Sequence, residues 1–341
     1  MDYNQIKKIR LCISYYCDLK CQHCYVPKTT RQEFSKLESQ QISVDRIKEM
    51  LDYMIDNFGL NTLDITGGEP LNKKVWERTK PVVSYALSKG LNIQLNTSGS
   101  GNVDFENLYE IVKDYKDKFT LHVSLDGIDE QMVDNFRGVQ GAMKRALTLL
   151  HKAIDNGIFL RIRLTITKDN YKDVLNTYKF VSELGVSAFM CKPVNSSGTA
   201  LENSEITGLT EENVKQVQKE IVEFSINNKT RLDLPAPHLV DTENFTDKHN
   251  ILITRCLCGA QLFYLAFNGD VYPCTYMCGA KNNKDYILCN LQECSFDEFS
   301  KLWLKPDTYA SFRNMEKHVC RAHEILKSKV DLCDITKYMV D

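Results

Sequence analysis

The sequence predicts an α/β fold in which six strand–helix units form a (β/α)6 partial barrel or an open parallel sheet, followed by a small cysteine-rich domain. Short apolar segments alternate with amphipathic ones from Ile6 to about Gly198, in units of about 30 residues. This alternation is typical of βαβ units. Beyond it, eight of the 13 cysteines fall between Cys256 and Cys333, which sets the second part of the chain apart.

The predicted strands are rich in β-branched and aliphatic residues, and turn residues bound them. Between the first two strands, residues 43–58 carry apolar side chains at helical spacing, which predicts an amphipathic helix. Gly59 follows this helix, where a C-cap favours a residue that tolerates the left-handed backbone conformation. The six predicted strands are residues 8–14, 62–66, 92–96, 120–124, 160–167 and 187–193.

The strand–helix rhythm ends after Thr199. One further helix is predicted with Thr210 as its N-cap, and residues 232–250 are predicted to form a loop because they contain two prolines and many polar residues. We expect a domain boundary near Pro235. Residues 1–235 would then form the barrel domain, and residues 236–341 would form the cysteine-rich domain.

The cysteine-rich domain is predicted to hold short strands at residues 261–267 and 271–272. It contains little apolar sequence, and small domains of that kind usually need metal to hold them together. Thirteen cysteines in a chain without a signal sequence favour metal binding over disulfides. We therefore expect metal centres rather than a disulfide framework.

Charge and hydropathy exclude several classes of function. The chain carries 43 basic and 45 acidic residues, so its formal net charge is −2 and it shows no field that would attract nucleic acid or an acidic membrane. It has no apolar signal core and no run of about 18 apolar residues. The sequence predicts a cytoplasmic protein without nucleic-acid or membrane partners.

Three cysteines follow the first predicted strand: Cys17, Cys21 and Cys24, separated by three and two residues. A [4Fe–4S] cluster normally takes four cysteines, so this set leaves one iron available to a ligand that is not protein. The second predicted strand runs into a Gly67-Gly68 pair, where the backbone can approach a ligand closely. Both motifs stand at the carboxyl ends of strands, where parallel α/β barrels carry their functional loops.

Together with Tyr25 and the Glu69-Pro70 that completes the glycine motif, these residues resemble the radical S-adenosylmethionine (SAM) superfamily over residues 7–194. The resemblance implies a (β/α)6 partial TIM barrel in which the three cysteines hold a [4Fe–4S] cluster whose open iron binds the amino and carboxylate groups of SAM. Reduction of that cluster would cleave SAM to methionine and a 5′-deoxyadenosyl radical, which abstracts hydrogen from the substrate. We therefore expect SAM and a [4Fe–4S] cluster as cofactors.

The same resemblance implies particular SAM contacts. Gly67, Gly68 and Glu69 would contact the methionine amino group through backbone oxygen and the side-chain carboxylate, and Tyr25 would lie near the adenine.

Three further positions match the SAM-binding pattern less specifically. Ser124, at the end of the fourth strand, stands where such enzymes hold the ribose hydroxyls, and Arg137 is placed to pair with the SAM carboxylate. The structural alternatives are a helix-capping role for Ser124 and a solvated helix-end charge for Arg137. Asn96, at the end of the third strand, is a weaker candidate.

The later cysteines resemble the opening of SPASM and twitch domains, which add auxiliary iron–sulfur clusters to radical SAM barrels. Cys258 and Cys274 flank Gly269 at separations of ten and four residues, and in those domains the two cysteines share one cluster. The remaining expected ligands are Cys320 and Cys333.

The cysteine pattern departs from a full SPASM domain, because the expected four-cysteine run is absent. One auxiliary cluster is therefore the first expectation, and a second remains open because Cys256, Cys278, Cys289 and Cys294 are enough further thiolates for it, although a core role is favoured for Cys289. Zinc is the competing metal, since four cysteines also satisfy a tetrahedral zinc site. The cysteines favoured as core residues are Cys12, Cys191 and Cys289.

Three functions are compatible with these residues. The first is oxidative modification of a ribosomally synthesised precursor peptide, giving a crosslink, a thioether, an epimer or an oxidised side chain. The second is dehydrogenation or epimerisation of a small molecule in antibiotic or cofactor biosynthesis. The third is a non-enzymatic iron–sulfur or zinc protein that transfers electrons, which release of 5′-deoxyadenosine would exclude.

The expected partners follow from the first function. Reduction of the cluster needs an electron donor such as flavodoxin or ferredoxin. Because the first strand begins within ten residues of the N-terminus, we expect a separate leader-binding protein or the C-terminal face to recognise a leader peptide. Tyr276 is a weak candidate for hydrogen-atom or proton delivery, with packing as the alternative. The position after Cys274 lacks the acidic residue typical of sulfatase-maturing enzymes.

Overall fold

A computed structural model describes residues 3–101, 104–238, 250–314 and 320–328 of the 341-residue chain. Within these ranges the chain forms one ten-stranded sheet. The strands are β1 (Lys8–Cys12), β2 (Thr62–Thr66), β3 (Asn92–Thr97), β4 (Phe119–Ser124), β5 (Phe159–Ile166), β6 (Ala188–Pro193), β7 (Arg231–Pro235), β8 (Ile251–Thr254), β9 (Leu262–Leu265) and β10 (Val271–Tyr272).

The order across the sheet is β10-β9-β1-β2-β3-β4-β5-β6-β7-β8. All neighbouring pairs are parallel except β9 and β10, which form an antiparallel hairpin around the turn at Gly269. Strand β9 is parallel to β1, with Ile9 opposite Phe263. The C-terminal segment therefore extends the sheet on the side of its first strand.

The six predicted strands correspond to β1–β6, and their ends agree within two residues. The prediction of a loop over residues 232–250 is wrong at its start, where the chain forms β7, and the sheet continues into β8. Asp233 is one of the polar residues of this segment, yet its carboxylate is fully buried and forms ion pairs with Arg161 and Arg231. The proposed boundary at Pro235 falls between two strands that pair side by side, and it stays a prediction.

Helices connect the strands and cover the sheet. Helix α3 begins after Ser43, whose side chain accepts a hydrogen bond from the Arg46 N–H, and it ends at Gly59 with φ at 68°, as predicted. Thr210 caps α10, also as predicted, and forms a capping box with Asn213. The helices are α1 (Lys28–Gln32), α2 (Phe34–Leu37), α3 (Val44–Phe58), α4 (Lys73–Ser88), α5 (Phe105–Val112), α6 (Glu130–Arg137), α7 (Ala142–Asp155), α8 (Val174–Glu183), α9 (Thr199–Glu202), α10 (Glu211–Ser225), α11 (Phe296–Trp303), α12 (Ala310–Arg313) and α13 (Arg321–Ser328).

The main apolar core runs through both parts of the chain. It contains Ile9 and Leu63 of the first strands and also Phe263, Phe299 and Trp303 of the C-terminal segment. The rings of Phe299 and Trp303 lie 5.4 and 6.0 Å from that of Phe263, so α11 packs behind β9. Within the described residues, no helix is long and apolar enough to cross a membrane.

Candidate active site

One cavity collects most of the residues that the sequence singled out, and it lies where β1–β6 end. The loop after β1 supplies the three cysteines and Tyr25, and the ends of β2, β3 and β4 supply the glycine pair, Asn96 and Ser124. Arg137 comes from α6, and Tyr276 comes from the segment after β10. The predicted site residues that line it are Cys17, Cys21, Cys24, Tyr25, Gly67, Gly68, Asn96, Ser124, Arg137 and Tyr276.

The three-cysteine loop is anchored to the end of α6. The backbone N–H groups of Lys20 and Gln22 donate to the carbonyls of Arg137 and Phe136 at 2.9 and 3.1 Å. The Arg137 guanidinium also donates to Cys21 Sγ at 3.7 Å. One arginine therefore holds the loop through its backbone and contacts a cysteine through its side chain.

The cysteine thiols lie in surroundings that disfavour their charged form. Burial raises the pKa of Cys24 to about 11. Burial first, and then the neighbouring Cys21, raise the pKa of Cys17 well above its ordinary value. A bound iron centre supplies the positive charge that keeps such thiols deprotonated, so the donor set fits a metal cluster.

Gly67 and Gly68 hold the end of β2 against the loop after β1. A Cβ on Gly67 would lie 2.2 Å from the Ser14 carbonyl oxygen, and one on Gly68 would lie 2.0 Å from that of Tyr16. Gly67 also has φ at 138°, which favours glycine. The close backbone approach expected of this motif is thus made to the neighbouring loop, while the same residues line the cavity.

Glu69 does not line the cavity. Its side chain is 2% exposed, and its carboxylate accepts hydrogen bonds from Ser98, Thr97 and the Leu71 N–H. The predicted contact between this carboxylate and the SAM amino group stays a prediction.

Arg137 is a buried side chain, so the alternative of a solvated helix-end charge is wrong. It is 5% exposed and forms an ion pair with the buried Asp126. The Asp126 carboxylate also accepts from the Thr165 N–H at 2.9 Å, which connects α6 to β5. Contact between Arg137 and the SAM carboxylate stays a prediction, as does the ribose contact of Ser124.

Asn96 belongs to a buried polar network inside the sheet. Its amide group donates to Asp64 at 2.5 Å, and its oxygen accepts from His122 and Arg163. Since Arg161 donates to His122 Nε2 at 2.9 Å, the imidazole proton lies on Nδ1. Burial first, and then the neighbouring arginines, lower the pKa of His122 well below its ordinary value, so the ring is neutral.

The auxiliary cysteines converge beside this site. Hydrogen bonds with Cys256 and Cys274, followed by burial, raise the pKa of Cys258 well above its ordinary value. Burial and then the charge of Cys274 raise the pKa of Cys320 to about 12. The structure thus groups Cys256 with three of the four expected ligands, and the fourth, Cys333, lies outside the described residues.

The other cysteines are distributed elsewhere. Cys278 donates to the Thr275 carbonyl at 2.9 Å and accepts from the Tyr15 hydroxyl at 3.7 Å. Cys289 forms a hydrogen bond with Cys294. Burial first, and then this hydrogen bond, raise the pKa of Cys289. Of the further cysteines considered for a second cluster, Cys256 adjoins Cys258 and Cys289 adjoins Cys294, and a second cluster stays a prediction. The residues favoured as core, Cys12 and Cys191, are buried, whereas Cys289 is half-buried at the core's edge.

In the described ranges, no three Cys, His, Asp or Glu side chains converge as tightly as a single ion requires. A [4Fe–4S] cluster spreads its thiolates around a larger core than one ion does.

Comparison with known families identifies the fold. The family described as Radical SAM superfamily matches residues 11–181, which are 171 of the 341 residues. The chain belongs to the radical SAM superfamily. A second family, SPASM, described as an iron-sulfur cluster-binding domain, matches residues 256–323. This radical SAM enzyme takes SAM and a [4Fe–4S] cluster, and its SPASM domain implies auxiliary iron–sulfur clusters.

The relatives of this radical SAM enzyme include a bacteriocin biosynthesis protein and a heme synthase. It is 27% identical over 303 residues to the antilisterial bacteriocin subtilosin biosynthesis protein AlbA of Bacillus subtilis, covering 85% of this chain and 60% of AlbA. It is 25% identical over 341 residues to an AdoMet-dependent heme synthase of Methanosarcina barkeri, covering 94% of this chain and 86% of that protein. The chain thus spans less than two thirds of the length of AlbA.

Among solved structures, Streptococcus suis SuiB bound to precursor peptide SuiA superimposes with a TM-score of 0.71 at 16% identity, covering 92% of this chain and 68% of SuiB. At this identity the likeness establishes the fold.

Some residues of the cavity escaped the sequence analysis. Arg163, Lys192, Asn195 and His23 line it, and the His23 ring stacks on Phe136 at a centroid distance of 4.6 Å. Each of these residues has a sequence position that indicates the site. Arg163 and Lys192 lie in the second halves of β5 and β6, Asn195 follows β6, and His23 lies between two cysteines.

Proposed function

We propose that this radical SAM enzyme abstracts hydrogen from a ribosomally synthesised precursor peptide and modifies it oxidatively, by a crosslink, a thioether, epimerisation or side-chain oxidation. The observation that carries the proposal is the placement of the SPASM cysteines beside the cavity that the three-cysteine loop forms. Thr275 and Tyr276, which directly follow Cys274, line this cavity. Similarity to AlbA supports a peptide substrate.

In this proposal, Cys17, Cys21 and Cys24 hold the cluster that binds SAM, and SAM cleavage supplies the 5′-deoxyadenosyl radical. Arg137 positions the cysteine loop through its bond to Cys21 and is available for the SAM carboxylate. Tyr25, whose hydroxyl donates to the Gly67 carbonyl at 3.4 Å, orients the glycine turn next to the ligand.

The auxiliary cysteines would act on the other side of the substrate. We assign Cys256, Cys258, Cys274 and Cys320 to one auxiliary cluster, with Cys333 as the alternative fourth ligand. Lys192 lies 4.5 Å from the ring centroid of Tyr276, so this tyrosine packs against a charged group and is oriented at the cavity wall. An electron donor of the flavodoxin or ferredoxin type and a separate leader-binding protein belong to the proposal, in a reducing cytoplasm that keeps the thiols free.

The test is anaerobic incubation of the cluster-loaded enzyme with SAM, a reductant and the precursor peptide encoded beside it. We expect 5′-deoxyadenosine together with a change in peptide mass, or with uptake of one deuterium in D2O if the reaction is epimerisation, and neither from Cys17→Ala. An unchanged peptide mass in both H2O and D2O, with 5′-deoxyadenosine still released, would exclude that peptide as the substrate.

A second candidate is a small-molecule reaction in cofactor biosynthesis. The observation that favours it is the similarity to the AdoMet-dependent heme synthase, which extends over 94% of this chain. Incubation with carboxylated tetrapyrroles under the same conditions distinguishes the two candidates, since only the true substrate should change in mass.

A further inference from the structure

Positive charge exceeds negative charge inside the sheet. The acids Asp64 and Asp233 are fully buried there, and both are already paired: Asp64 with Arg10 at 2.7 Å, and Asp233 with Arg161 and Arg231. Within the described part of the chain, no carboxylate lies within ion-pair distance of two further cations, Arg163 and Lys192. These two side chains line the cavity.

Arg163 and Lys192 stand on neighbouring strands and on the same face of the sheet. In the register of β5 with β6, Arg163 lies opposite Met190 and Thr165 lies opposite Lys192. Residues two apart on a strand share a face, so the two cations are diagonal neighbours. Asn96 accepts a hydrogen bond from Arg163, and the ring of Tyr276 faces Lys192. The pair thus lies in the cavity between Asn96 and Tyr276.

Two like charges held this closely destabilise each other. Burial first, and then the charges of Arg163 and Arg10, lower the pKa of Lys192, whereas Cys320 and Cys274 oppose this shift. Burial and then Arg10 lower the pKa of Arg163 to about 10. A ligand anion placed between them would remove this repulsion.

Asn195 independently indicates a polar ligand. It is 5% exposed, it lines the cavity three residues after Lys192, and within the described ranges neither its amide nitrogen nor its oxygen has a hydrogen-bond partner. A buried amide group without partners is destabilising, so this side chain is arranged for a ligand that both accepts and donates.

We propose that Arg163 and Lys192 bind a carboxylate group of the substrate beside the position from which hydrogen is abstracted. This inference rests on the proposed function, because it names the chemistry that the substrate carries there. The carboxylate comes either from an Asp or Glu side chain of a peptide or from a carboxylated small molecule. Two cations converging on one anion bind it more tightly and in a more defined orientation than one does.

The test compares Arg163→Gln and Lys192→Gln with two controls in the cluster-loaded enzyme. Lys192→Arg retains the charge, and Lys144→Gln removes a charge on the exposed side of α7. We expect the substrate KM to rise about 10- to 100-fold in each Gln variant and less than about threefold in the controls. SAM affinity should fall by a much smaller factor than KM rises in the two Gln variants, and Lys144→Gln should leave both SAM affinity and substrate-free release of 5′-deoxyadenosine unchanged.

Substrate variants separate the two sources of the carboxylate. For a peptide substrate, each Asp or Glu of the modified segment is replaced in turn by Asn or Gln. One replacement should raise the KM of the wild-type enzyme by the same factor as Lys192→Gln does. With the Lys192→Gln enzyme, the same replacement should raise KM little further. In the small-molecule arm, the probes are a tetracarboxylate porphyrin and its methyl ester. Binding is followed by absorbance, and we expect the acid to bind at least tenfold more tightly than the ester.

Several results would overturn the inference. One is an unchanged KM in both Gln variants. Another is a loss of about four irons in Lys192→Gln, which would mean that the lysine supports the auxiliary cluster. A third is a SAM affinity that falls by the same factor by which KM rises. Failure of the proposed function is a different result. In that case the wild type modifies no peptide, whereas weaker porphyrin binding by the two variants would still support the carboxylate site.

Discussion

The carboxylate of Glu69 accepts two hydrogen bonds from Ser98, one from the backbone N–H at 2.7 Å and one from the hydroxyl at 2.6 Å. The Thr97 hydroxyl donates a third at 2.5 Å. Glu69 follows β2, and Ser98 follows β3. A single buried carboxylate therefore ties together two of the loops that surround the cavity.

Glu69→Gln should destabilise the protein and weaken SAM binding. The amide would direct an NH2 group at donors that need an acceptor, which leaves buried groups unsatisfied at a cost of about 1–3 kcal/mol. Urea unfolding and SAM titration measure the two effects. Glu183→Gln, at an exposed position, is the control, and equal stability of the two variants would contradict the prediction.

Replacing any of Cys17, Cys21 or Cys24 by Ala should abolish 5′-deoxyadenosine release and remove about four irons per chain, because the cluster would keep only two protein ligands. Cys191→Ala is the matched control. That thiol is 4% exposed, and burial raises its pKa to about 12, so it behaves as a core residue. Full radical production by a Cys17, Cys21 or Cys24 variant would refute the ligand assignment.

Cys274→Ala should also lose about four irons, yet it should retain some 5′-deoxyadenosine release while forming no product. Cys256→Ala should behave in the same way if it supplies a ligand, whereas Cys289→Ala should keep all its iron. Iron and sulfide analysis of the anaerobic proteins decides this. About 8 irons in the wild type indicate one auxiliary cluster, and about 12 indicate two.

Acid should destabilise the fold through His122. Its pKa in the folded protein is below the ordinary value of 6.5, so the unfolded chain binds a proton that the folded one does not. The stability from the neutral ring is present above pH 6.5 and is lost as the pH falls. His122→Gln should flatten the fall in unfolding free energy below pH 6.5 by up to about 1.4 kcal/mol per pH unit.

Urea titrations between pH 7.5 and pH 5 measure this slope. His151→Gln, at an exposed position on α7, should leave it unchanged. Asp64 acts in the same direction at lower pH: burial alone would raise its pKa, but Arg10 and the other cations hold it below the ordinary value of 3.8. Its contribution is present above pH 3.8 and is lost on further acidification.

Gly198→Ala should lower the free energy of unfolding by more than the strain of its positive φ alone would cost. Gly198 has φ at 59°, and a Cβ there would lie 2.1 Å from the Tyr25 carbonyl oxygen. Gly185, with φ at 86°, has no atom within 4 Å of that position, so Gly185→Ala measures the backbone strain without the clash. Urea unfolding should show Gly198→Ala to be less stable than Gly185→Ala by at least about 1 kcal/mol. Equal losses would mean that the Tyr25 loop shifts freely.

Strand–helix periodicity and the two motifs predicted β1–β6 and the family. They could not predict β7, because the buried Asp233 is neutralised in part by Arg161 of β5, which is distant in the sequence, in addition to Arg231 on its own strand. The cysteine spacing suggested Cys258 and Cys274, but Cys256 joins them through side-chain geometry that spacing does not report.

The cations of the cavity show the same limit. Arg163 and Lys192 belong to different strands, and only the register of β5 with β6 places the two side chains on one face. Pairing between elements determines which charges remain without a carboxylate, and a single sequence does not contain that information.

The position of β9 beside β1 has a consequence for synthesis of the protein. Leu262 emerges from the ribosome 196 residues after the end of β2 at Thr66, which is a delay of roughly 10–40 s at about 5–20 residues per second. During that time the nascent chain carries an unpaired edge on β1, next to the loop that holds the three cysteines. A chaperone would therefore have to protect this edge until β9 is made, and truncation before Leu262 would leave the edge of β1 exposed to aggregation.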